Sequence, residues 1–157
     1  MKFGEDAERY DFARPPYPAG LFDWLKARCA LGPGSDCFEI GAGTGHAMLP
    51  VLAMPVRTLR AIEPDARLAD RLREKAGADP RLVIEVARFE AAGLPHGAFD
   101  FGFAAMSLHW LARMKALAKA SAALKPSGWF AVWWDVYHDG ANPDASGRAA
   151  KPPFGGM

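Results

Sequence analysis

The sequence predicts an α/β domain in which a parallel sheet is covered by helices on both faces. Short apolar runs alternate with helix-spaced segments along most of the chain, the pattern of repeated βαβ units. Three glycines at alternate positions, Gly41, Gly43 and Gly45, follow directly on the first such run. The 157 residues are 50% hydrophobic and 24% charged, which suits one globular core.

The elements follow in order. After a polar, Pro-rich start, "PAGLFDWLKARCALGPG" sets Leu21, Phe22, Leu25 and Cys29 on one helical face and ends in a Gly-Pro-Gly breaker. "DCFEI" reads as a buried strand feeding the glycines. "HAMLPVLA" reads as a short helix, with Pro50 tolerable only near its first turn. "RTLRAIE" is a second strand and "RLVIEVA" a third. Between them "DARLADRLREKAG" is a helix with Leu68 and Leu72 one turn apart and Gly77 as its C-cap. "FDFGFAAM" is a fourth strand. Trp110, Met114, Leu117, Ser121 and Leu124 then recur at helical spacing and are expected to lie on the sheet. "KPSG" turns the chain, Pro126 ends the helix, and "WFAVWW" is a fifth strand, with crossovers of right-handed sense. From His138 onward, "HDGANPDASGRAAKPPFGGM" holds four Gly and three Pro with little to bury, so 138–157 is expected to be a disordered tail on a domain spanning 1–137.

Composition excludes several functions. Nineteen Lys and Arg against 18 Asp and Glu leave a net charge of +1, and no basic block offers the phosphate contacts that nucleic acids demand. No apolar run approaches the roughly 18 residues of a membrane span, and "MKFGEDAERYD" is no secretory signal, so a cytoplasmic protein is expected. Cys29 and Cys37 are too few and too poorly spaced for zinc, and are expected to be buried thiols with no metal site.

In an open parallel sheet, ligands bind outside the carboxyl ends of the strands, where the glycine loop lies. Bare backbone there lets a ligand approach closely, and the N–H groups opening the next helix suit anionic groups. A dinucleotide fingerprint is G-x-G-x-x-G, whereas Gly41-Ala42-Gly43-Thr44-Gly45 is G-x-G-x-G, with Glu39 two places ahead. Glu63 stands eighteen residues beyond Gly45, at the end of the second strand. A carboxylate there can accept both hydroxyls of an adenosine ribose and would repel a 2′-phosphate; alone, it would be an ordinary solvated acid.

"FEIGAGTG" followed by "AIEPD" resembles motif I and the strand-two acid of the class I S-adenosylmethionine (SAM) dependent methyltransferases. "RYDFARPPYP", "MSLHWL" and "ALKPSGWFAVWW" resemble further segments of the type 11 group, which includes trans-aconitate methyltransferase-like enzymes. The resemblance runs from about Tyr10 to Trp134. It implies a Rossmann-like three-layer sandwich with strand order 3-2-1-4-5, SAM as cofactor and a small-molecule methyl acceptor. By the same resemblance Gly41, Ala42, Gly43 and Gly45 would pass beneath the methionine part of SAM. Glu39 would face its ammonium, and Glu63, with Pro64 beside it, would hold the ribose. Adenine would lie by Arg88 and Phe89, held by Phe89 packing and its backbone N–H. Met106 stands where the group often has glutamine, beside the cofactor. Residues 1–20 would form a lid, with Tyr10, Arg14 and Tyr17 over the cofactor; these side chains could equally anchor the segment to the surface.

Methyl transfer from a sulfonium chiefly needs alignment, so no triad is expected. His109 is the one histidine placed to act as a base, against the alternative of a helix-start side chain bonded to backbone. Trp110, with Met106 and Ser107 at the end of the fourth strand, is expected on the acceptor side, whereas Trp129, Trp133 and Trp134 are expected in the core. The group's last two strands have no counterpart, so the chain looks C-terminally shortened. "WFAVWW" would then be an open edge that favours a homodimer or poor solubility. Two other readings remain at this point: a catalytically silent SAM-binding or interaction domain, and a nicotinamide oxidoreductase, which the glycine spacing disfavours.

Overall fold

The computed structural model describes residues 15–108 and 111–134. The expectations for Tyr10, Arg14, His109, Trp110 and the 138–157 tail lie outside the described residues. Within them, α1 (Ala19–Arg28), β1 (Asp36–Ile40), α2 (Met48–Leu52), β2 (Thr58–Ile62), α3 (Ala66–Ala76), β3 (Leu82–Glu85), β4 (Phe99–Ala105), α4 (Arg113–Ala123) and β5 (Leu124–Trp133) follow one another along the chain. The five strands are parallel and ordered β3-β2-β1-β4-β5, with helices on both faces: a Rossmann-like α/β sandwich, as expected.

Two apolar layers flank the sheet. On one face α1 buries Phe22 and Leu25 and α2 buries Met48, Val51 and Leu52, against Cys37, Leu59, Phe101 and Phe103. Pro50 falls in the first turn of α2, where a missing N–H costs nothing. α3 adds Leu72 to this layer; its Asp65 cap accepts the Arg67 N–H, and Gly77, at φ +65°, returns its own N–H to Arg73 O. Cys37 is fully buried and desolvation pushes its thiol up to about 12, while Cys29 is half-buried. On the other face Phe38, Phe99 and Phe89 cluster, with Phe38 and Phe99 ring centroids 5.0 Å apart.

That aromatic crowding corrects the expected face of α4. The helix buries Ala116, Ala120 and Ala123, whereas Met114 is 80% exposed and Leu117 37% exposed. Where the sheet itself supplies phenylalanines, the helix must come close, and only alanines leave it room.

The fifth strand also differs from expectation. It begins at Leu124, and "KPSG" forms an irregularity inside it: the pairs Phe99↔Leu124 and Phe101↔Trp129 set five steps of β5 against two of β4. Trp133 is partly buried and packs against the core, stacked on Phe103 at 5.6 Å. Trp129 and Trp134 are not; they are 42% and 50% exposed because β5 is the sheet's outer strand among the described residues. Arg28 lies over the Trp129 ring at 4.9 Å. No described helix is long and apolar enough to cross a membrane.

Candidate functional site

A cavity of about 740 Å³ opens above the carboxyl ends of β1, β2 and β4, the size class of a nucleotide-like ligand site. Its wall includes most of the residues singled out from the sequence: Tyr17, Glu39, Gly41, Ala42, Gly43, Glu63, Pro64, Arg88, Phe89 and Met106. Gly45 is not on the wall.

The three glycines divide the work. All have positive φ: +69° at Gly41, +56° at Gly43 and +96° at Gly45. A Cβ on Gly41 would stand 2.6 Å from Ser107 Cβ, and one on Gly45 would stand 2.6 Å from Leu72 Cδ1. These two are glycine because the protein packs against them. A Cβ on Gly43 would meet nothing within 4 Å, so this glycine alone keeps space open. Ser107, just beyond β4, also donates its hydroxyl to Ile40 O and so ties the ends of β1 and β4 together across the loop.

Glu63 is 5% exposed and holds the loop from the other side. Its Oε2 accepts the Gly43 N–H at 2.8 Å and its Oε1 accepts the Asp65 N–H at 2.9 Å. Burial raises its pKa and these two backbone donors oppose the rise. The turn is further pinned by Gly41 N–H and Ala42 N–H, both donating to Ile62 O, at 2.8 and 3.2 Å.

Glu39, on β1, is 1% exposed, and its Oε2 has no hydrogen-bond partner. Desolvation, reinforced by the charge of Glu63, pushes its carboxyl well above the usual range. An unpartnered buried carboxyl oxygen on a cavity wall is costly unless a donor arrives from outside.

The remaining wall is less polar. Phe89 reaches it from beyond β3, but its ring is 2% exposed and lies parallel to Phe38 at 6.5 Å, with Lys119 Nζ 5.3 Å from its centroid. Arg88 beside it is exposed. Met106 follows β4 at φ +60° and donates its N–H to Trp133 O at 3.0 Å. Tyr17 is buried against Trp133 and Phe22, at 5.9 and 6.3 Å between centroids, while still bordering the cavity. His46, Thr44, Asp65, Arg67 and Leu111 also line it without having been singled out from the sequence. For Asp65 and Arg67 the available signal was "EPDAR", an acid capping a helix at the end of a strand next to the site. No cluster of His, Cys, Asp and Glu suited to a metal ion occurs among the described residues.

A methyltransferase domain family matches residues 38–132. An uncharacterized methyltransferase-like protein of Schizosaccharomyces pombe is 28% identical over 137 residues, covering 87% of this chain and 52% of its own length. The chain thus spans about half the length of this curated relative. The CcbJ methyltransferase of Streptomyces caelestis is 26% identical with a TM-score of 0.65, over 84% of this chain and 57% of that one. A SAM-dependent methyltransferase of Aquifex aeolicus, 19% identical, shares the fold with a TM-score of 0.68 over 81% of this chain and 71% of its own. The family match runs from within β1 to within β5 and takes in the glycine turn, Glu39 and Glu63, and on that ground the chain belongs to the methyltransferase domain family.

Proposed function

We propose that this protein transfers a methyl group from SAM to a small-molecule acceptor. The family match supports SAM as the cofactor. The observation that carries the reading is Glu39: a buried carboxyl oxygen without a partner, on the wall of the cavity that the glycine turn keeps open. A bound α-ammonium would supply the missing donor, as a charge-assisted pair.

The other residues fit the same ligand. Glu63 already presents its carboxylate to the cavity, braced by two backbone N–H groups, and keeps lone pairs for a pair of ribose hydroxyls. Gly43 would let the methionine chain lie against bare backbone. Pro64, Arg88 and the backbone N–H of Phe89 would border the adenine, the Phe89 ring itself being taken up by Phe38. Tyr17 would sit at the mouth, joined by Tyr10 from the amino-terminal segment, and His109 is the candidate to take a proton from a hydroxyl or acid acceptor.

When bound, the cofactor supplies a methyl group already activated by its sulfonium. The chain's task is then to hold the acceptor atom in line with the carbon–sulfur bond and to keep water away. Met106 and Leu111 give that end of the cavity an apolar wall, which suits both. A cytoplasmic setting accords with the unpaired cysteines. The test is conversion of SAM to its demethylated product in the presence of small hydroxyl-, amino- and carboxyl-bearing acceptors. Acceptor-dependent turnover is expected, and binding of SAM without turnover on any class of acceptor would contradict the transferase reading.

A further inference from the structure

Glu39 and Glu63 place two buried carboxyl groups on the wall of one cavity, yet their surroundings differ sharply. Both oxygens of Glu63 accept backbone N–H groups, which oppose the rise that burial gives its carboxyl. Glu39 has an oxygen that nothing reaches, and it lies at the end of a central strand flanked by β2 and β4. The other titratable groups around the cavity are Tyr17, His46 before α2, Asp65 and Arg67 beyond β2, and Arg88 and Glu90 beyond β3. Arg67 is engaged by Asp65 in a two-point pair, with distances of 3.2 and 3.1 Å. Arg88 is exposed. None of these groups hydrogen-bonds Glu39 Oε2, so a negative charge there would lack a donor beside Glu63, on a side chain that is 1% exposed.

We propose that Glu39 carries a proton when the site is empty and releases it to solvent when the α-ammonium of the cofactor enters, so that binding expels a proton and selects for an amino-bearing ligand. This rests on the SAM reading above. The exchange balances simply: the carboxyl O–H of Glu39 breaks, its proton goes to buffer, and the carboxylate left behind accepts an N–H of an ammonium that stays fully protonated. Burial raises the proton affinity of Glu39 in the empty site, which is what leaves a proton there to be expelled. Ligands lacking the amino group gain nothing from this exchange, which makes Glu39 a determinant of specificity as well as of affinity.

Calorimetric titration with SAM in buffers of different ionisation enthalpy, such as phosphate and Tris, counts the protons directly. Net release approaching one proton per site is expected near neutral pH, with affinity rising by up to about tenfold per pH unit while Glu39 remains protonated in the free protein. 5′-Methylthioadenosine keeps the ribose and adenine but lacks the α-amino group, and should bind weakly with no proton released. Glu39→Gln should bind SAM without releasing a proton. SAM binding to the unaltered protein with no proton exchanged overturns the proposal and leaves the SAM reading intact. Equal proton release with 5′-methylthioadenosine also overturns it, by moving the source to Glu63. No binding of SAM at all overturns both.

Discussion

Replacing Gly41 and Gly43 separately by alanine should split stability from binding. At Gly41 the new methyl group would meet Ser107 Cβ at 2.6 Å, on a residue whose hydroxyl already bonds Ile40 O and which therefore cannot easily retreat. A left-handed backbone costs a residue with Cβ about 1–2 kcal/mol, and overpacking a tight contact costs about 1–3 kcal/mol, so Gly41→Ala should lose about 2–5 kcal/mol. At Gly43 φ is +56° but the methyl meets nothing within 4 Å, so only the backbone term of about 1–2 kcal/mol applies. At this chain length each kcal/mol lowers the melting temperature by about 2–4 °C. Urea denaturation of both variants gives the stabilities, and SAM titration gives the affinities. Gly43→Ala should stay folded yet bind SAM at least about tenfold more weakly, since one misplaced methyl group can forfeit 1.4 kcal/mol or more of a close contact. Equal destabilisation of the two variants, or full affinity in Gly43→Ala, would refute this division.

Other expectations are more local. Because burial raises the Glu39 carboxyl in the folded state, the ligand-free protein binds that proton more tightly than the unfolded chain does. Its stabilising effect is complete below the ordinary carboxylate range and is lost as pH rises toward the folded value, so melting temperature should fall with pH more steeply in the wild type than in Glu39→Gln; parallel profiles would contradict this. Cys37, with its thiol raised to about 12 by desolvation, should resist alkylation in the native protein at neutral pH, whereas half-buried Cys29 should react faster; mass spectrometry of timed samples separates the two, and prompt labelling of Cys37 would be the contrary result. The outer side of β5, the edge strand among the described residues, with Trp129 and Trp134 half exposed, should promote association between copies; a strictly monomeric boundary in sedimentation velocity at all concentrations would count against it.

Most of the architecture was legible because its signals are local. Apolar runs, a glycine cluster and a Gly C-cap each declare themselves within a few residues, and the crossover rule orders them into a parallel sheet. What escaped was decided by partners distant in sequence. The leucine and methionine stripe of α4 is apolar at helical spacing, yet the alanine stripe is the one buried, since Phe38 and Phe99 had already filled the sheet's face. "KPSG" looks like a turn, and only pairing with β4 makes it an irregularity within a strand.

In the site, the positions of Glu39, Glu63 and the glycines could be read from their intervals. Their couplings could not. Nothing in the sequence ties Glu63 to the Gly43 N–H, Gly41 to Ser107, or Gly45 to Leu72. The orphaned oxygen of Glu39 is likewise a property of three-dimensional burial, and it singles this acid out from others near the glycine loop.

The central claim is that this cavity holds SAM, and calorimetric titration with SAM and, separately, NAD tests it most directly, alongside a Glu63→Ala variant. The account predicts saturable binding of SAM, little or none of NAD, and loss of SAM affinity in the variant. Preference for NAD, or SAM affinity unchanged by Glu63→Ala, would contradict it.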